Sequence, residues 1–204
     1  MGTLMSIQRY PLTLSFKGER DYIQGPDIFD AVIQALCAGA ETTRVAQIDV
    51  AFHRLARRAV ELINDDQGSA MDPVAICQYS IDGVRRQAFV VETGTEIVER
   101  HPYPEEDIIE RMSIDTDQRT CALDIDLPFT DMELWVSMTK ALHKALFPEL
   151  NGKWLFVRAR FEHYAPDAKG FRTLAFKSNF NNKLTRCEAM RDGAKVGEIY
   201  FSIV

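Results

Sequence analysis

No apolar run in this sequence approaches the ~18 residues needed to cross a bilayer, so no membrane span is expected. The opening stretch MGTLMSIQRYP lacks the charged start and long apolar core of a secretory signal. Its Met-Gly start matches a myristoylation pattern only in part. Basic clusters are scarce. The longest, RLARR at 54–58 and RAR at 158–160, are short, and the net charge is −6. That argues against nucleic acid as a partner, because counterion release needs clustered Lys and Arg. The four cysteines (Cys37, Cys77, Cys121 and Cys187) show no CxxC spacing, so free thiols in a cytoplasmic protein are expected. No GxSxG, no P-loop and no GxGxxG after a strand is present. The carboxylates around His101 (Glu99, Glu105, Glu106 and Asp107) surround prolines and read as a solvated connection, so no metal site is expected.

What is present is the composition of a globular chain, 46% hydrophobic and 26% charged over 204 residues, enough for one domain or two small ones. The only two Asp-Gly dipeptides, Asp82-Gly83 and Asp192-Gly193, lie 110 residues apart, each preceded five residues earlier by a cysteine. At the same offset His53 maps onto His163, and Ala35-Leu36 onto Ala145-Leu146. Four coincidences at one offset indicate duplication.

The order of elements repeats as well. A strand at 10–16 precedes a helix over 26–38, then strands at 44–52 and 57–63. The runs VAICQYSI and VRRQAFVV follow, joined by Asp82-Gly83, a strong hairpin signal because both residues tolerate positive φ. In the second half a strand at 120–127 precedes a helix over 130–147. Thr130 and Glu133 make a Thr-x-x-Glu capping box there, and Pro148 ends the helix. Four strand-like runs follow, at 154–164, 171–180, 184–191 and 194–204. The first aligns better with 44–52 at offset 111, a slip that a β-bulge absorbs. These readings divide the chain into 1–92, a linker over 93–119 carrying a short helix at EEDIIERM, and 120–204. They place Cys77 and Cys187 in matching strands and make the two Asp-Gly hairpins coincide.

An α+β chain with one helix cradled by an antiparallel sheet, twice over, resembles the tandem (double) hotdog superfamily. The resemblance rests on element order and duplication and covers nearly the whole chain. It implies two hotdog-like units, each a central helix wrapped by an antiparallel sheet, with homo-oligomers formed through the sheets. It also implies chemistry on acyl thioesters of coenzyme A or acyl carrier protein, with no resident cofactor. Helix N-terminal amides there stabilise an oxyanion, and a carboxylate activates water.

On that resemblance Asp27, in the first turn of the first helix, is the candidate catalytic base. Gly25 beside it permits close approach of a ligand, and Tyr22, Gln24 and His53 line the substrate site. The bland reading of Asp27 is a charge that complements the helix dipole. Asp131 is the equivalent candidate in the second helix, although the capping box makes that terminus coherent as pure structure. His143 reads as lying on a partly exposed helix face. No histidine stands between residues 10 and 40, which departs from the dehydratase pattern. Thioester hydrolysis therefore leads, with a non-catalytic acyl-binding or interaction protein and a hydratase/dehydratase as the alternatives.

Overall fold

The computed structural model describes residues 8–38, 45–64, 72–181 and 183–204. Alternating apolar residues build the strands β1 (Gln8–Leu12), β2 (Phe16–Lys17), β3 (Val45–Phe52), β4 (Val60–Asn64), β5 (Ala75–Ile81) and β6 (Val84–Glu92). The first helix, α1 (Gly25–Cys37), falls between β2 and β3. The connection carries β7 (Arg100–His101), the short α2 (Glu106–Ile109) and β8 (Ser113–Asp115). Then come β9 (Thr120–Leu123), α3 (Asp131–Leu146), β10 (Trp154–Phe161), β11 (Arg172–Phe180), β12 (Leu184–Arg191) and β13 (Ala194–Ile203).

Among the described residues, eleven strands form one antiparallel sheet in the order β1-β4-β6-β5-β3-β10-β13-β12-β11-β9-β8. Residues up to Glu92 supply five adjacent strands and the later residues supply six. The two sets meet at the seam β3–β10, where Val50 pairs with Ala159. Asp49 reinforces this seam by accepting from Arg158 at 2.7 and 2.5 Å and from Arg160 at 2.9 Å. Register slips occur in β3 between Ala46 and Asp49 and in β10 between Phe156 and Arg158, one bulge in each half, so they do not account for the one-residue mismatch of the offset.

Both Asp-Gly turns have positive φ at each residue, 51° and 78° in the first and 50° and 78° in the second, the geometry expected of a type I′ hairpin. The two hairpins do not coincide. In the first, the earlier strand β5 borders the seam strand β3. In the second, the later strand β13 borders β10. Cys77 on β5 is thus next to the seam and Cys187 on β12 is one strand further out, which corrects the expectation of matching strands. A turn is chosen by two local residues, whereas the neighbour of each strand is chosen by long-range pairing.

The two long helices lie together against the sheet, with α1 on β1 and β3 and α3 on β9, β10, β11 and β13. Ile28, Phe29, Val32 and Leu36 of α1 and Leu134, Trp135, Met138 and Leu142 of α3 are buried in one continuous core. The expected strand at 10–16 is broken, because the chain leaves the sheet after Leu12 and Phe16–Lys17 pairs instead with the linker strand β7. No helix of the described residues is long and apolar enough to cross a membrane.

Candidate active site at the N-terminus of the first helix

Helix α1 starts without a side-chain cap. Gln24 occupies the N-cap position in extended conformation and makes no capping bond, and Pro26 contributes no N–H. The amides of Gly25 and Asp27 therefore have no partner within the helix, and they carry its partial positive charge. Tyr22, Gln24, Gly25 and Pro26 line a cavity of about 630 Å³. Its apolar walls include Leu55 and Val136, the α3 terminus at Phe147, and Trp154, Phe156 and Phe201 from the sheet. Gln24 is 7% exposed, and its amide nitrogen has no hydrogen-bond partner. Gly25 is needed for space: a Cβ there would lie 2.6 Å from the Phe156 ring.

The charged part of the lining is mostly cationic. Arg20, Lys140, Lys144 and Lys153 face a single acidic residue, Glu105, among the described lining residues. Glu105 Oε2 accepts from Lys140 at 2.7 Å and from Arg20 at 3.1 Å. Burial works against the charge of Glu105, but Lys140 and Arg20 outweigh it and hold the carboxyl below its ordinary pKa. Lys153 stacks its ammonium over the Tyr22 ring at 4.3 Å.

Asp27 does not line this cavity. It points between the helices, where Lys17 Nζ donates to Asp27 Oδ1 and to Glu133 Oε1, both at 2.6 Å. Burial pushes the Asp27 carboxyl up, and Lys17 offsets this only in part. The second oxygen, Oδ2, has no partner. Burial also opposes the charge of Lys17, but Asp27 and Glu133 hold its proton above the ordinary value. One turn on, Asp30 accepts from Thr130 Oγ1 at 2.6 Å and from the Tyr164 hydroxyl at 2.5 Å. Burial lifts Asp30 to about 7 despite those two donors.

The structure thus brings Tyr22, Gln24 and Gly25 to one cavity, with Asp27 one residue beyond its edge at Pro26. The other two candidates lie elsewhere. His53 is exposed just beyond the end of β3. Asp131 is fully buried, accepting from Trp135 Nε1 and Arg172 Nε at 2.8 Å each and from Arg191. Its oxygens are committed to holding the α3 terminus against β11 and β12. His143 is fully buried too, contrary to the exposed face expected for it. It bonds Thr139 O and Thr185 Oγ1 among aromatic rings, and burial drops its pKa to about 4. Sequence reasoning passed over Lys17, Arg20, Glu105, Lys140 and Tyr164. These residues meet largely through contacts distant in sequence, 85 positions between Arg20 and Glu105 and 116 between Lys17 and Glu133.

A broad antiparallel sheet with a few helices laid against it is consistent with the hotdog fold. No protein-family model matches the sequence, and no curated protein matches it. Solved structures do. The tesB protein of Mycobacterium avium subs paratuberculosis aligns with a TM-score of 0.53 at 13% identity, covering 96% of this chain and 92% of that one. A Lactobacillus plantarum protein provisionally named an oleoyl thioesterase aligns at 0.50 and 13% identity, covering 98% and 96%. A Thermobifida fusca protein provisionally named a thioesterase II aligns at 0.50 and 10% identity, covering 96% and 91%. At these identities the likeness establishes the fold.

Proposed function

We propose that this chain is a tandem hotdog protein that binds an acyl thioester in the cavity at the start of α1 and hydrolyses it. One observation carries the reading: an uncapped helix N-terminus faces a cavity with aromatic walls and a cationic lining. The walls suit an acyl chain, and the cations suit an anionic carrier such as coenzyme A or acyl carrier protein. The Gly25 and Asp27 amides and the unpartnered Gln24 amide nitrogen are the donors for a thioester oxyanion.

Asp27 is the base of this reading. Lys17 holds Oδ1 and leaves the buried Oδ2 without a partner, the oxygen that takes a proton from a water admitted past Pro26. The water oxygen bonds to the thioester carbon while its proton passes to Asp27. The C–S bond then breaks, and the departing thiolate receives that proton. A second reading, acyl binding without hydrolysis, draws support from the Lys17 pairing, which keeps Asp27 occupied and out of the cavity lining. Dehydration has weaker support, because His53 and His163 are both exposed.

A panel of acyl-CoAs with free-thiol detection separates the readings. Hydrolysis is expected, and Asp27→Asn should lower turnover by about 10²-fold or more, the usual order for a lost general base. Full activity in a folded Asp27→Asn protein removes Asp27 from the chemistry. Acyl-CoA binding without thiol release selects the binding reading.

A further inference from the structure

The cavity holds a charge arrangement that hydrolysis does not require. Arg20, Lys140, Lys144 and Lys153 line it against the single carboxylate of Glu105, in a chain whose net charge is −6. Arg20 and Lys140 do not pair with separate carboxylates but converge on one oxygen, Glu105 Oε2. Among the described residues, Lys144 and Lys153 have no carboxylate within ion-pair distance. The Glu105 side chain is 12% exposed and reaches this fork from the connection between the halves. Tyr103 of the same segment bonds Ser137 at 3.0 Å, and Ile108 is fully buried beneath it. A second feature lies at the cavity wall: the amide nitrogen of the lining residue Gln24, more than nine-tenths buried, has no acceptor.

We propose that Arg20 and Lys140 form a fork for the phosphate head of an amphiphilic ligand, and that Glu105 is an internal counter-ion occupying it until the ligand displaces it. Phosphate fits better than carboxylate, because a dianion replacing one carboxylate neutralises more of the surplus cation and can span both donors. Lys144 and Lys153 then hold further negative charge, while the Phe147, Trp154 and Phe156 rings take the apolar part. Displacement frees the 103–111 segment from α3, so ligand binding and the docking of that segment exclude each other. The proposal concerns the cavity of the proposed hydrolase but stands on binding alone. Absence of thioester hydrolysis therefore leaves its test intact.

Isothermal titration of the full chain with octyl phosphate, pyrophosphate and 1-octanol tests it. Octyl phosphate should bind the unsubstituted protein, and Glu105→Gln should tighten that binding at least about tenfold. Lys140→Gln should weaken it by a similar factor. Pyrophosphate should follow the same order more weakly, and 1-octanol should be indifferent to Glu105. Equal or weaker octyl phosphate binding by Glu105→Gln, an equal gain for 1-octanol, or no binding at all overturns the proposal. Hydrogen exchange on the unsubstituted protein is independent of how well the variants fold. Saturating octyl phosphate should speed exchange across 103–111, and slowed or unchanged exchange there overturns the displacement.

Discussion

At the residue scale, the two helix-start aspartates have opposite environments. Asp131 is 0% exposed between Arg172 and Arg191, with Trp135 donating as well. Removing its charge leaves Arg172, itself 2% exposed, with only the half-exposed Asp126 at 3.7 Å as a counter-charge. Breaking such a pair costs about 3–5 kcal/mol, so Asp131→Asn should show that loss in urea denaturation. Asp27→Asn leaves Lys17 its second partner, Glu133, and removes a charge that burial already opposes, so it should stay within about 1 kcal/mol of the parent. Asp30 sets a pH dependence. Folded, it titrates at about 7 against an ordinary 3.8, so between those values the folded state binds more protons than the unfolded chain. Its contribution is therefore fully present below about pH 4 and is lost as pH rises through 7, with a slope of up to about 1.4 kcal/mol per pH unit. Urea titrations from pH 5 to 8 should show this decline, and Asp30→Asn should flatten it.

At the element scale, the start of α1 and the capping of α3 follow one rule with two outcomes. Thr130 accepts from the Glu133 amide at 3.2 Å while Glu133 accepts from the Thr130 amide at 2.8 Å, so α3 is closed by its own side chains. Helix α1 has Gln24 at the cap position without a capping bond, Gly-Pro follows it, and the first amides remain open. The absence of a side chain at Gly25 lets Phe156 of β10 come against the helix end. Gly25→Ala should force Phe156 aside, destabilise the fold by about 1–3 kcal/mol and weaken acyl-ligand binding at least tenfold. Parallel denaturation and ligand titration would check both effects. Undiminished binding would mean that the cavity does not use this helix end.

At the scale of the whole molecule, one core runs through both halves and encloses three of the four cysteines. Cys77, Cys121 and Cys187 are buried, Cys37 is exposed, and all four are free. Burial raises the thiol pKa of each buried cysteine, most modestly at Cys187, to about 12, which adds chemical inertness to steric protection. A thiol reagent should therefore titrate one group quickly in the native protein and all four after denaturation without reductant. Two or fewer groups in the denatured chain would show a disulfide that the structure does not contain.

How much was legible beforehand follows from the range of each interaction. The capping box of α3, the Gly-Pro start of α1, the positive-φ turns and nearly every strand depend on residues within a few positions of each other. The sequence by itself determined them, and it placed Gln24, Gly25 and Asp27 at one helix end. Three things were decided only by tertiary structure. The neighbours of β5 and β13 in the sheet reversed the equivalence drawn from the offset of 110. Lys17, reaching from a two-residue strand to Asp27 and Glu133, joined the two helix starts. Glu105, from a linker read as solvated, entered a cation fork built from Arg20 and Lys140. Strand pairing and buried charge pairing are chosen by the free energy of the folded whole, because a strand edge or a buried charge accepts whichever distant partner the packing brings to it.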